Sequence, residues 1–181
     1  MVAAGTETAR GGKAMADWEV GECVAFGRYG GEDISWRVLD VRDGAALLLS
    51  ERIVTSIPFN GRGGPCSWSE SGIRRWLNGR FLHGAFTDRE RERILLVGIA
   101  NRGNPVTGAP AGPDTEDSAF CLSIAEAETL LGGRGWLEAE PTAHALARRL
   151  RKSGEGGFDW WLRSPGEDAS TAADVCRGRI M

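Results

Sequence analysis

The strongest constraint on what this chain can fold into is a turn. Asp43-Gly44 stands between two apolar runs, and that dipeptide is a leading local signal for a two-residue β-hairpin. Upstream, Ile34, Trp36, Val38 and Val41 alternate with polar Ser35, Arg37 and Asp40. That is the period of a half-buried strand, although Leu39 breaks it. Downstream, Ala45 to Leu49 is apolar throughout and reads as a buried strand. Val24 to Phe26, after a Gly-Glu turn, adds another short apolar piece.

The rest of the chain supplies short helices and more strands. Ser69 to Phe81 reads as a helix, with Ser69 as N-cap, Gly79 near its end, and Ile73, Trp76 and Leu77 as one apolar stripe. Thr87-Asp88-Arg89-Glu90 is a capping box whose helix runs into Ile94, Leu95 and Leu96. Residues 100–118 are rich in Gly, Pro, Asn and Asp, which predicts a long surface loop. Ala119 to Leu122 reads as a strand, and Ser123 to Glu126 as a second capping box whose helix stops at Gly132-Gly133. Pro141 suits a first helical position ahead of a helix from Ala143 to Arg151. Gly154 to Gly157 is a loop, Trp160 to Arg163 a strand, Pro165-Gly166 a turn, Ala172 to Val175 a last strand, and Gly178 a turn. Helices and strands are interspersed without repeat, so the expected class is α+β.

Composition narrows the function classes. A length of 181 residues fits one domain, taken as 17–181, behind a disordered N-terminal extension, 1–16. Met15 offers a second start. The net charge of −3 gives no general attraction to nucleic acid or to an anionic membrane. The longest apolar runs are too short to span a bilayer, and the N-terminus has no apolar signal region. The expected location is cytoplasmic, with reduced thiols. The four cysteines, Cys23, Cys66, Cys121 and Cys176, form no C-x-x-C pair, which argues against a zinc ribbon or a thioredoxin-type site. The two histidines, His83 and His144, sit in no catalytic motif, and neither a P-loop nor a dinucleotide fingerprint is present. Seven tryptophans against one tyrosine is an unusual balance, and tryptophan serves cores and binding surfaces alike.

Five segments occur in an order that resembles a known family. They are Gly21 with Phe26-Gly27; Trp36-Arg37-Val38-Leu39 with Leu49-Ser50; Trp68, Ser71, Arg74/Arg75, Trp76-Leu77-Asn78, Phe81 and Ala85-Phe86-Thr87; Phe120-Cys121-Leu122-Ser123 with Glu126-Ala127; and Trp160-Trp161-Leu162-Arg163-Ser164-Pro165-Gly166. Together they resemble a bacterial family of domains of unknown function, over roughly residues 20–178. That family is similar in fold to C-type-lectin-like domains and to the sulfatase-modifying-factor (formylglycine-generating enzyme) group. The resemblance implies short helices packed on a twisted antiparallel sheet. It also implies closing strands ending in a "VRPAL" segment, where this chain stops at Met181. The closing strands are therefore expected to be missing, through truncation, divergence or completion of the sheet by a partner chain.

The resemblance, with no catalytic set in the sequence, implies a binding module rather than an enzyme, for a protein, small ligand or glycan, with no cofactor; the alternatives are a divergent formylglycine-generating-type copper oxidase and a structural module or truncated remnant with no independent activity. Trp36, Trp76 and Trp161 are expected in the core. Arg163 reads as a buried structural arginine tied to loop carbonyls or to Asp159 or Asp168. The rival reading makes Trp160 and Arg163 a ligand platform. Asn78 is expected to tie a turn, with ligand binding as its second role, and Arg75 is a further candidate contact. Asp114, Glu116 and Asp117 carry oxygen ligands of the kind Ca²⁺ takes, but they match neither an EF-hand nor the C-type-lectin triplets, and solvated loop acids are expected instead. The formylglycine-generating branch holds copper through a cysteine pair. Cys121 and Cys176 stand outside any matching motif, and Cys176 reads as a small buried residue.

Overall fold

The computed structural model describes residues 2–5, 18–61, 65–148 and 157–181. β3 (Glu32–Arg42) and β4 (Ala45–Ser50) form the expected hairpin, with Arg42 opposite Ala45. Asp43 (φ 51°) and Gly44 (φ 74°) both take left-handed backbone, as a type I′ turn requires. β2 (Cys23–Tyr29) flanks β3 and β1 (Val2–Gly5) flanks β4, so the sheet order is β1-β4-β3-β2. Val2–Gly5 falls in the stretch assigned above to a disordered extension, and here it is a paired strand. Residues 6–17 lie outside the described residues.

This sheet carries apolar residues on both faces. Successive strand residues point to opposite sides. Ala46 and Leu48 enter one cluster with Phe26, Trp36 and Phe86, while Leu49 packs on a second cluster of Leu122, Ile124, Leu131, Leu162 and Val175. Two covered faces explain why β4 is apolar without a break. They also explain Leu39. Ile34, Trp36 and Val38 face the first cluster at period two, Leu39 faces the second, and Val41 faces the first again. The register slips between Val38 and Asp40, a bulge that absorbs the change of phase.

A second antiparallel sheet joins β9 (Asp159–Pro165), β10 (Ala172–Cys176) and β11 (Arg179–Ile180) in the order β11-β10-β9. β5 (Arg52–Ile53) runs parallel to β8 (Glu140–Pro141), and β6 (Val97–Ile99) pairs antiparallel with β7 (Thr115–Asp117). With helices interspersed among antiparallel sheets, the class is α+β. β7 lies inside the expected long loop, and Ala119 to Leu122 is extended backbone with a single bridge at Ala119 rather than a strand.

α1 (Gly72–Trp76), a π-helical turn (Leu77–Phe81) and α2 (Leu82–Ala85) follow one another directly. The helical stretch therefore ends at Ala85 instead of Phe81, with Gly79 inside the π turn. Its N-cap is Ser71, whose hydroxyl accepts from the Arg74 N–H at 3.1 Å. Ser69 belongs to a 3₁₀ turn just ahead. Thr87 and Glu90 close the expected capping box, but α3 is only Asp88–Arg91, and Leu95 and Leu96 are exposed on the way to β6. Ser123 and Glu126 cap α4 (Ile124–Leu131), which ends at Gly132. Thr142 caps α5 (Ala143–Ala147), and Pro141 is not its first helical residue, since it is taken into β8. The expected end of that helix at Arg151 and most of the Gly154 to Gly157 loop lie outside the described residues. Among the described residues, no helix is long and apolar enough to cross a membrane.

Gly27 shows how tightly the first cluster closes on the sheet. It has φ +72°, and a Cβ added there would lie 2.4 Å from the Phe86 ring and 2.8 Å from the Ala85 carbonyl oxygen. Gly31 has φ +91° but open space around it. Gly31→Ala should cost only the left-handed backbone penalty, about 1–2 kcal/mol. Gly27→Ala should cost that plus overpacking, about 2–5 kcal/mol in all. Urea unfolding of the two variants measures both, and equal losses would contradict the close approach of Phe86.

Candidate functional site

β9 is the point where separate parts of the chain meet, and each residue of its motif holds a different one. The Trp160 indole N–H donates to the Leu137 carbonyl and the Trp161 N–H to the Ile57 carbonyl, both at 3.0 Å. The Ser164 hydroxyl accepts from the Ile124 N–H at 3.0 Å. The Pro165 and Gly166 carbonyls accept from Asn104 Nδ2 at 3.0 and 2.9 Å, which anchors the 100–118 loop. Leu162 is fully buried in the second cluster.

Arg163 is the charged one among these ties, buried at 5% exposure. Its guanidinium makes a two-pronged pair with Glu126, one contact from Nη2 to Oε1 at 2.6 Å and a shorter one from Nη1 to Oε2. It also donates to the carbonyls of Cys121 and Ala100 at 2.9 and 3.3 Å. The structural role foreseen for Arg163 is what the geometry shows, but its carboxylate is neither Asp159 nor Asp168. Asp168 is exposed and accepts from the Ser170 N–H and hydroxyl. The guanidinium is buried and lies over the Phe120 ring at 5.8 Å, away from the wall on which Trp160 stands.

Glu126 serves twice, because Oε2 also accepts from the Ser123 N–H at 2.9 Å to complete the α4 capping box. Burial pushes its carboxyl up. The Arg163 hydrogen bonds and charge, with the Ser123 N–H and hydroxyl, outweigh that and leave it below the ordinary value.

Asn78 is a second tie. Its Nδ2 donates to the Ala119 carbonyl at 2.8 Å and to Asp117 Oδ1 at 3.2 Å, and its Oδ1 accepts from the Ser118 N–H at 2.8 Å and the Ala119 N–H at 3.1 Å. Asp117 is fully buried and also accepts from Arg74 Nε at 2.7 Å, the Trp68 N–H at 2.9 Å and the Thr115 hydroxyl at 2.7 Å. It is therefore a structural carboxylate and not a solvated loop acid. Asp114 caps the Asn101 N–H at 2.7 Å. Arg75 is exposed and donates to the Glu70 carbonyl. Neither Asn78 nor Arg75 is brought to Trp160. Among the described residues, no three His, Cys, Asp or Glu side chains gather as a metal site.

The cavity of interest lies at the other end of β9. About 240 Å³ of space is walled by the residues after β4, the start of the helical stretch, the segment before β8 and the first residues of β9. Trp76, Trp136, Trp160 and Trp161 line it, together with Ile73, Leu77 and Cys121. Of the candidate residues, Trp160 and Asp159 are on this wall. Trp76 and Trp161, expected in the core, are half-buried and line the cavity from the first cluster. Trp136, Glu51 and Glu138 were not singled out in sequence. The surplus of tryptophan was the one available signal, since Trp136 falls in no periodic segment.

The charges of the wall are unequal in their pairing. Arg37 grips Glu51 through two contacts, at 2.6 and 2.7 Å, donates to the Gly21 carbonyl, and lies over Trp136 at 4.7 Å. Arg52 pairs with Glu32 at 3.3 Å and donates to the Pro141 carbonyl. Asp159 stands opposite Cys176 in the β9–β10 ladder and pushes its thiol up, and its Oδ1 is buried with no hydrogen-bond partner among the described residues. Cys121 keeps some surface toward the cavity, but burial pushes its thiol up to about 11. It stays protonated near neutral pH and is a poor nucleophile. Cys176, read as buried, is half-buried on β10.

The Glu126 shift gives a sign for acid stability. Its folded value is lowered, so its contribution is complete above the ordinary carboxylate value of 4.5 and is lost as pH falls through the folded value. Glu126→Gln should flatten the fall of unfolding free energy between about pH 5 and 3 relative to the parent chain. Coincident slopes would contradict the pair.

The comparisons with known proteins bear on the family alone. A sequence profile for a domain of unknown function, DUF6273, matches residues 43–179. The span includes the helical, Phe120 to Ala127 and Trp160 to Gly166 motifs and leaves Gly21 to Leu39 outside. No curated protein and no solved structure matches the chain. The profile covers more than half of the chain, which therefore belongs to the DUF6273 family of domains of unknown function.

Proposed function

We propose that this chain is a non-enzymatic binding module and that the tryptophan-walled cavity is where it takes a small ligand. One observation carries the proposal. Four indoles from three separate stretches of chain converge on a concave space of about 240 Å³. Ligand sites are concave, mostly apolar and supplied with a few placed polar groups. An exposed tryptophan surface is costly in water, and covering it is favourable at about 25 cal/mol per Å². The walls are held by β9, whose own ties are hydrogen-bonded and buried, so the space is preformed on a rigid element.

The scaffold is proposed to be C-type-lectin-like, supported by the order of the five motifs and by the mix of short helices and antiparallel sheets. The four cysteines are unpaired thiols, which favours a reducing, cytoplasmic setting. A protein partner, including one that extends the short β11 edge, fits the same scaffold. The buried, protonated Cys121 thiol gives an oxidase reading no support.

Saturation-transfer NMR of the full chain with small aromatic and amine fragments tests the proposal. Binding is expected in the parent and is expected to fall at least about tenfold in Ala139→Phe, which fills the cavity from its wall. The unfolding temperature should be unchanged. Fragments that bind equally to both proteins, or to neither, would overturn the reading.

A further inference from the structure

The unequal pairing of charges around the cavity points to a ligand class. We infer that the cavity takes a protonated amine carried on an apolar body. The inference rests on the cavity being a ligand site, and it specifies which ligand.

The charged donors of the wall and two of its four indole N–H groups are already engaged. Arg37 is closed on Glu51 and the Gly21 carbonyl, and Arg52 on Glu32 and the Pro141 carbonyl. The indole N–H groups of Trp160 and Trp161 are held by backbone carbonyls. What these side chains leave toward the cavity is aromatic and aliphatic surface. An anion would find both wall cations already paired with carboxylates.

The acceptors are in excess. Among the described residues, Asp159 and Glu138 are the wall carboxylates with no cation paired to them. Oδ1 of Asp159 is buried without a donor, a costly state that a ligand N–H would relieve. The negative charge extends behind the wall. Asp174 neighbours Asp159 across the β9–β10 ladder, and burial followed by the Asp159 charge pushes its carboxyl up. Tryptophan is the best aromatic partner for a cation, and this wall already shows the contact twice, with Arg37 and Arg134 over Trp136. An N–H-bearing ammonium satisfies both the carboxylate and the rings, and its apolar body fills the remaining space.

Three ligands of one shape separate the possibilities: benzylammonium, benzyl alcohol and benzoate. Isothermal titration of the full chain should show benzylammonium binding at least about tenfold more tightly than benzyl alcohol, the scale of a charge-assisted hydrogen bond, and benzoate more weakly than both. Asp159→Asn should cut the ammonium preference to within about threefold and leave benzyl alcohol unchanged. Glu138→Gln, at an exposed position, should lower the preference in the same direction without touching the fold. Equal binding of benzylammonium and benzyl alcohol would overturn the inference and leave the cavity as a ligand site. Binding of none of the three would overturn both.

Discussion

The pair between Arg163 and Glu126 is the interaction on which the arrangement depends. It joins β9 to the first turn of α4, and through the carbonyls of Cys121 and Ala100 it also fixes the two segments between them. A buried guanidinium left without its carboxylate costs about 3–5 kcal/mol. Here the partner is itself held in place, because Glu126 also closes the α4 capping box on Ser123. One carboxylate thus starts a helix and neutralises a buried charge. The neighbours of Arg163 along β9 then hold the Ile57, Leu137 and Asn104 segments. The strand acts as a spine, and the cavity forms where the segments it holds stand apart.

That division gives β9 two functions along its length. From Leu162 to Ser164 its side chains are buried. At its start, Asp159, Trp160 and Trp161 face a space that the protein itself does not fill. Asn78 and Asp117 form a comparable internal node on the other side, where one buried carboxylate gathers donors from Trp68, Arg74, Asn78 and Thr115. These Trp-, Arg- and Asn-bearing segments are therefore mostly a record of how the fold is tied. Only part of it faces a ligand.

Local signals in the sequence were reliable where the physics is local. Asp43-Gly44 set the hairpin, and the two Ser/Thr-x-x-Glu boxes set the starts of α3 and α4. The broken alternation at Leu39 was a true signal of a bulge between two cores. Long-range features were not legible. Pro141 is a good helix starter, but parallel pairing with β5 captured it. Leu95 and Leu96 continue an apolar run without continuing its helix. Arg163 was readable as a buried tie, but its partner lies in a capping box 37 positions away in the chain. Glu126 had already been assigned a local role there, and spacing alone could not add the second. The cavity draws its wall from segments that meet only in three dimensions, so Trp136 and Glu138 carried no mark in the sequence.

A double-mutant cycle across Arg163 and Glu126 tests the central claim most directly. Urea unfolding would be followed for Arg163→Met, Glu126→Gln and the pair together. The account predicts that each single change costs about 3 kcal/mol or more, and that the double change costs less than their sum by at least about 1.5 kcal/mol, because removing both partners leaves no orphaned buried charge. Losses that simply add would contradict the claim that this pair holds the fold together at β9.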